Sequence, residues 1–484
     1  HGSPRMPTVP PAPSALRRWG RRVLLALLVL IGGAAAAAGA LLASGYTPGR
    51  AFDYLEVRLQ GHPKLESLLL PPLALVRRWT GEASADERRS VPFAVPPPPP
   101  RWGPEAESAP SGEPRASGRV LRVGSGQRLS TVAQAAREAR DGDIVEIEAG
   151  DYRGDVAVWM QRQLTIRAVG GNARLWADGK IAEGKAIWVI RNGRFDISGI
   201  DFIGARAADR NGAGIRFEGG SLRLRRCLFW DSEAGLLTGG GERQRGMEVH
   251  VEASEFGYIG WGDGQSHLLY AGPVARLSVS HSHFHHANVG HLVKSRAAFT
   301  LLAYNRLTDE SGGRASYEVD LSNGGVAVLV GNLIQQSRQT ENSHLVRFGS
   351  EGYTHPENRL YLFNNTLVNK HPLGGAFLRA APGATSVVAA NNLLLGVGGW
   401  HGDAALSEAN NPKLTPEDFA DPEHHDYRLR EDPAHARLQW LAPALAEVGG
   451  VSLVPSAQYQ HPRSLRRLDR PPRWPGAFQD AAAP

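Results

Sequence analysis

Cysteine is almost missing from this sequence: its 484 residues hold one, Cys227, so no disulfide can form within a chain. Cys227 stands in an apolar run ending at Trp230 and reads as an inert core thiol. Methionine is scarce as well, at 3 residues, whereas glycine reaches 56 and tryptophan 11, a balance that excludes a helical bundle and describes a turn-rich β protein. An excess of one charge sign is absent from most of the chain. The formal charge of +6 arises mainly ahead of Gly118, where 14 Lys/Arg face 9 Asp/Glu, while the remainder has 40 against 39. A nucleic-acid binder would carry its cations on the folded domain, so no nucleic-acid partner is expected.

Long hydrophobic runs are confined to one place. His1 to Arg5 precede Met6 and are set aside as a cloning remnant. Residues 1–22 form a basic N-terminus with Arg17, Arg18, Arg21 and Arg22, and residues 23–44 carry no charge over the length that crosses a bilayer. Arginines ahead of the span hold the N-terminus in the cytoplasm, which predicts a single-pass inner-membrane protein with its large domain in the periplasm. A cleaved signal peptide is the rival, and the continuing Leu41 and Leu42 favour the uncleaved anchor. Residues 45–80 show amphipathic helical patterning interrupted at Pro71 and Pro72, and residues 81–117, with Pro96 to Pro100, read as a semi-rigid Pro-rich linker.

From Gly118 on, the pattern changes to a repeat. Ser130 can cap a helix from Thr131 to Arg140, and an alternating strand follows from Ile144 to Glu148. Then FDISGIDFI (195–203), LRLRRCLFW (222–230), VHVEASEF (249–256), LSVSHSHF (277–284), FTLLAYNRL (299–307), VAVLVGNLI (326–334), LYLFNNTL (360–367) and VVAANNLL (387–394) recur at a fairly even spacing. Each unit alternates apolar and polar, turns at Asn, Gly or Ser, and ends in a large apolar residue. One such unit cannot bury its inner face alone, so the repeat predicts a right-handed parallel β-helix, a single-stranded solenoid, over residues 118–410 with an N-terminal capping helix. Repeated Asn305, Asn332, Asn364, Asn365, Asn391 and Asn392 fall at the turn, where they tolerate left-handed backbone and bond between coils. An antiparallel sandwich would give closer hairpin spacing. Residues 411–484 form a closing segment, with Arg463 to Arg473 wrapping the outside.

Alternation also picks out a constellation. On a strand, residues two apart share a face, so Lys294 and Arg296 point outward while Val293 and Ser295 turn in. One coil later, inward Val319 and Leu321 would place Glu318 and Asp320 outward beside that pair, followed by Asn323. His267 and Tyr270 come from the coil before, His291 and Tyr317 from the same two coils, and His344, Arg347 and Glu351 from the coil after. A row of such groups on coils about 4.8 Å apart suits successive sugars. The plain alternative is a surface ladder of ion pairs, each contributing about 0 to 1 kcal/mol, which does not account for the clustering.

These segments carry a resemblance. The helix and "DGDIVEIEAGDY" resemble the entry coil of exported right-handed parallel β-helix proteins of the pectate-lyase-like superfamily. "GHLVKSRA" with "YEVDLSNGG" resembles the central coils of the alginate lyase and chondroitinase B group. The resemblance implies Lys294 as base and Arg296 as acid in β-elimination from a uronate glycan. It further implies Ca²⁺ as cofactor, held by Glu318, Asp320 and Asn323, with His267, Tyr270, His291, Tyr317, His344, Arg347 and Glu351 contacting sugar. An acidic polysaccharide is the expected partner, with a membrane polysaccharide synthase or export complex nearby. A non-catalytic glycan scaffold and a uronate C5-epimerase are the alternatives. His281, His283, His285, His286 and His291 also cluster, but no carboxylate at a metal-ligand spacing accompanies them, so they read as surface or turn histidines. Trp230, Tyr258, Trp261 and Trp400 suit either sugar stacking or core packing.

Overall fold

The computed structural model describes residues 63–80, 93–101 and 118–481, apart from 240, 242–243, 262–264, 341, 372–373 and 404. The chain divides into two units, His1–Pro92 and Phe93–Pro484. In the first, the helix Pro63–Thr80 runs on through Pro71 and Pro72, where the sequence pattern predicts an interruption. The prolines remove two N–H donors, and the leucines on either side are strong enough helix formers to keep the remaining ladder. No helix among the described residues is long and apolar enough to cross a membrane. The span expected at residues 23–44, with the basic stretch before it, lies outside the described residues.

The second unit is a right-handed parallel β-solenoid. Its entry is a strand, Val120–Val123, and a helix, Val132–Glu138, whose Val132, Ala135 and Ala136 are buried. The cap is Thr131 rather than Ser130: its hydroxyl takes the Gln134 N–H while the Gln134 side chain returns to the Thr131 N–H. Asp155 supplies a second cap by accepting from the N–H groups of Val132 and Ala133 at 2.6 and 2.9 Å. Each coil then gives one strand to a ten-stranded sheet, from Ala157–Trp159 to Gly399–His401, and the rest to a 21-stranded sheet. The last paired rung of the large sheet includes Lys413–Leu414, so the solenoid runs slightly past residue 410.

In the large sheet each coil turns a corner, and the repeated units of the sequence are strand–corner–strand. The corner residue is left-handed at Arg226, Ala253, His281, Tyr304, Gly331, Asn364 and Asn391. The residue after it builds a ladder along the stack. The backbone N–H of Asn305 donates to Asn332 Oδ1 at 2.9 Å, that of Asn332 to Asn365 at 3.0 Å, and that of Asn365 to Asn392 at 2.9 Å. The recurring asparagines thus divide into two jobs: those after the corner satisfy backbone groups of adjacent coils, while Asn364 and Asn391 at the corner donate to carbonyls of the closing segment, Trp474 and Gly476 for the first and Leu441 for the second.

Inside the coils, Trp159 meets Trp188 and Trp188 meets Phe202 edge-on, and Phe202, Phe229, Phe256 and Phe284 stack on consecutive rungs. Phe256 lies between Phe229 and Phe284 with ring centroids at 4.4 and 4.5 Å and no exposed surface. Neighbouring coils cannot close on one missing ring without breaking register, so Phe256→Ala is expected to cost about 3–5 kcal/mol. Equilibrium urea unfolding checks this; a loss below about 1 kcal/mol would mean that the stack is not a packed core.

Two segments cover the outside of the large sheet. Phe93–Arg101, expected to be part of a semi-rigid linker, docks on the sheet: Pro96 O accepts from Trp230 Nε1 at 2.9 Å, Pro99 O accepts from Arg174, and Arg101 pairs with Asp151 at 2.7 Å. A proline segment keeps its carbonyls unpaired, so it meets a wall that offers donors. The closing segment packs Phe419, Tyr427, Leu429 and Trp474 against Leu333, Val368 and Leu393. Arg463, expected on the outside, is buried against Glu255 at 2.8 Å.

Candidate functional site

The outer face of the ten-stranded sheet carries two parallel columns of side chains. Register places Tyr270, Lys294, Asp320, Arg347 and Arg379 on successive rungs. Beside them run His267, His291, Tyr317 and His344, whose ring centroids are 4.5, 5.0 and 6.2 Å apart in turn. The first column provides charge; in the second the rings lie against one another, with His267 and His291 buried, against the expectation that they contact sugar, and Tyr317 and His344 partly exposed. The Arg347 guanidinium lies 5.4 Å from the centroid of the Tyr317 ring and ties the two together.

At the centre, Lys294 Nζ stands 2.7 Å from Glu351 Oε1 and 3.7 Å from Asp320 Oδ2. Arg296 holds the other Glu351 oxygen, donates to Asn323 Oδ1, and donates through Nε to the Tyr270 hydroxyl at 3.1 Å. Glu351 thereby sits in a two-cation fork. Its side chain is 43% exposed, against 12% for Lys294 and 23% for Arg296, so the fork opens to solvent where the carboxylate enters. Although burial pushes the Glu351 carboxyl up, the bonds from Lys294 and Arg296 hold it below the usual carboxylate range.

Asp320 is committed to several donors. Ser322 and Ser350 hydroxyls donate to it at 2.7 and 2.8 Å, and His291 Nε2 lies 3.4 Å away. Burial pushes this carboxyl up, but His291, and after it Ser322 and Lys294, outweigh that and keep it ionised. His267 is neutral: burial, then the neighbouring His291 and Lys294, push it well below the usual imidazole range, and its Nδ1 accepts the His291 backbone N–H at 3.1 Å. Sequence patterning did not single out Ser322 and Ser350; the signal for Ser322 was its place two residues beyond Asp320, at the end of the strand.

Glu318 overturns its expected place. It is wholly buried inside the coil, in the column otherwise filled by Leu268, Leu292 and Leu345, and neither carboxylate oxygen has a hydrogen-bond partner. Burial, and then nearby Asp309, pushes its carboxyl well above the usual range. Strict alternation fails because positions 318 and 319 both point inward where the coil enters the strand. The set proposed for Ca²⁺ therefore does not fit that ion: Glu318 is sealed inside, Asp320 is saturated by hydroxyls and cations, and Asn323 Oδ1 faces Arg296.

Among the histidines, His283 and His285 lie on the opposite face of the molecule's sheet system and are buried rather than at the surface. Trp230 and Tyr258 pack with Val95 of the docked proline segment, Trp400 with Phe377, while Trp261 remains exposed.

No protein-family model matches this chain, and neither does any curated protein. Among solved structures the chain is similar to the crystal structure of pectate lyase Pel9A, with a TM-score of 0.42 and 12% identity over 75% of this chain and 98% of that one.

Proposed function

We propose that the outer face of the ten-stranded sheet binds an acidic, uronate-containing polysaccharide, and that Lys294 and Arg296 carry out β-elimination on it. The observation behind this reading is the fork itself: two cations grip the Glu351 carboxylate at an open edge beside a column of aromatic rings. A sugar carboxylate presents the same two oxygens to the same fork, and the partly exposed rings of Tyr317 and His344 offer apolar edges to the sugars beside it. In the reaction, Lys294 first loses its own proton to solvent, and its neutral amine then takes the proton next to the uronate carboxylate. The C–O bond to the leaving sugar breaks as the C=C bond forms, Arg296 neutralises the developing charge and donates a proton to the leaving oxygen, and Tyr270 orients Arg296. Residues 23–44 would hold this groove at the inner membrane, facing a polysaccharide synthase or export complex in the periplasm.

The test is a panel of alginate, pectate, glycosaminoglycan and neutral glycans offered to the full chain. Ultraviolet absorbance from unsaturated ends with one of the acidic polymers is the expected result. Neither cleavage nor retention of any of them would overturn the reading. A non-catalytic scaffold is the second reading, favoured by the contacts of Lys294 with two carboxylates, which suit an ammonium group that binds a polymer without taking a proton from it. Retention of an intact polymer identifies that outcome, and inversion at C5 without cleavage identifies an epimerase.

Glu351 occupies the fork when no polymer is present, so substrate must displace it. Glu351→Gln is expected to tighten binding of acidic oligosaccharides about tenfold by removing the competing charge. Titration calorimetry at two salt concentrations checks this, and weaker binding in the variant would show that Glu351 positions the sugar instead.

A further inference from the structure

The outer face of the large sheet holds a second polar cluster, sealed beneath the closing segment and independent of the groove. Glu255 and His283 are register partners on adjacent coils, and His285 follows on the same face. All three are buried, and one ligand atom from each lies within 4.8 Å of the other two, the one such set among the described residues. The strands fix this geometry, because Phe256 and Phe284 point inward and force their neighbours out.

The hydrogen bonds around His285 admit two arrangements, and a cation would select one of them. His286 Nε2 lies 3.2 Å from Ser311 O, which can only accept, and 3.3 Å from the Tyr258 hydroxyl, which can donate to it. If Nε2 donates to Ser311 O, His286 Nδ1 accepts from His285 Nδ1 at 2.6 Å; if Nε2 accepts from Tyr258, the roles at that contact reverse. In the first arrangement His285 Nε2 turns a lone pair toward Glu255 Oε1 at 3.1 Å, where a cation would fit, and in the second it donates to that oxygen. Arg463 binds the other oxygen of Glu255 at 2.8 Å, so Oε1 is the atom turned to the histidines.

We propose that Glu255 Oε1, His283 Nε2 and His285 Nε2 bind a divalent transition-metal ion of the zinc class. Two imidazoles and a carboxylate suit that ion, and the His285–His286–Ser311 chain is the kind of outer support that fixes a ligand's tautomer. His283 Nε2 faces Glu310 Oε1 at 3.0 Å and would exchange that partner for the ion. Arg463 and His461 reach the cluster from the closing segment, with the His461 ring 5.4 Å from that of His283, so the ion would pin that segment to the coils.

A proton on His285 is the competing solution, and metal content separates the two. The full chain, stripped with a chelator and titrated with Co²⁺, is expected to take up one equivalent with visible absorption bands, displaced by Zn²⁺, and Zn²⁺ is expected to raise Tm. His283→Gln, which keeps a polar group of similar reach, should weaken Co²⁺ uptake at least tenfold while leaving glycan retention on the other sheet unchanged. Absence of a stoichiometric Co²⁺ spectrum in the wild-type chain, or uptake undiminished in His283→Gln, overturns the proposal whatever the outcome of the glycan panel.

Discussion

Lys294→Ala is expected to lower the rate of unsaturated-product formation from a uronate polymer at least about 100-fold while the solenoid stays folded. The side chain lies on the outer surface of its strand and contacts Glu351 and Asp320, not the core, so its removal leaves the packing of Val293 and Val319 intact. Far-ultraviolet circular dichroism controls for folding, and ultraviolet absorbance on the polymer reads the rate. A variant within about tenfold of the wild type would remove Lys294 from the chemistry and leave the fork as a binding device.

Glu318→Leu is expected to stabilise the protein by about 2–4 kcal/mol near neutral pH, because it replaces an unpartnered carboxyl in a leucine column with the residue used on both sides. The pH dependence follows from the direction of the shifts. Glu318 is raised well above its ordinary value, and Asp309, raised by burial, reaches about 7. The folded state therefore holds protons that the unfolded chain releases above about pH 4, and stability contributed by these groups is full below that value and lost as pH rises toward the folded values. The advantage of Glu318→Leu should accordingly grow from pH 4 to pH 7. Denaturant midpoints at several pH values test this; a constant difference would mean that Glu318 is solvated.

The solenoid was legible because its signal is repeated: alternation around a corner recurs on coil after coil, and an error on one coil is corrected by the next. The rung that sets Lys294 against Asp320 was legible for the same reason. Glu318 was misplaced because alternation was applied to a single strand. Aligned with their neighbours, Leu268–Leu269, Leu292–Val293 and Leu345–Val346 form apolar pairs that already mark positions 318 and 319 as interior. Glu255 escaped notice as a companion of His283 because solenoid neighbours are one full coil apart in sequence, and a search for local ligand spacing passes over them. The docking of Pro96 and Pro99 depended on donors from Trp230 and Arg174, whose directions no local pattern reveals.

That docked strip has a practical consequence for anyone trimming the molecule. A shortened version starting at Gly118, where the repeat begins, would discard Val95 and the carbonyls that satisfy Trp230 and Arg174, leaving Ile203, Leu228 and an indole N–H bare along one flank. Such a fragment invites self-association through its newly uncovered side, and a boundary at or before Phe93 avoids it.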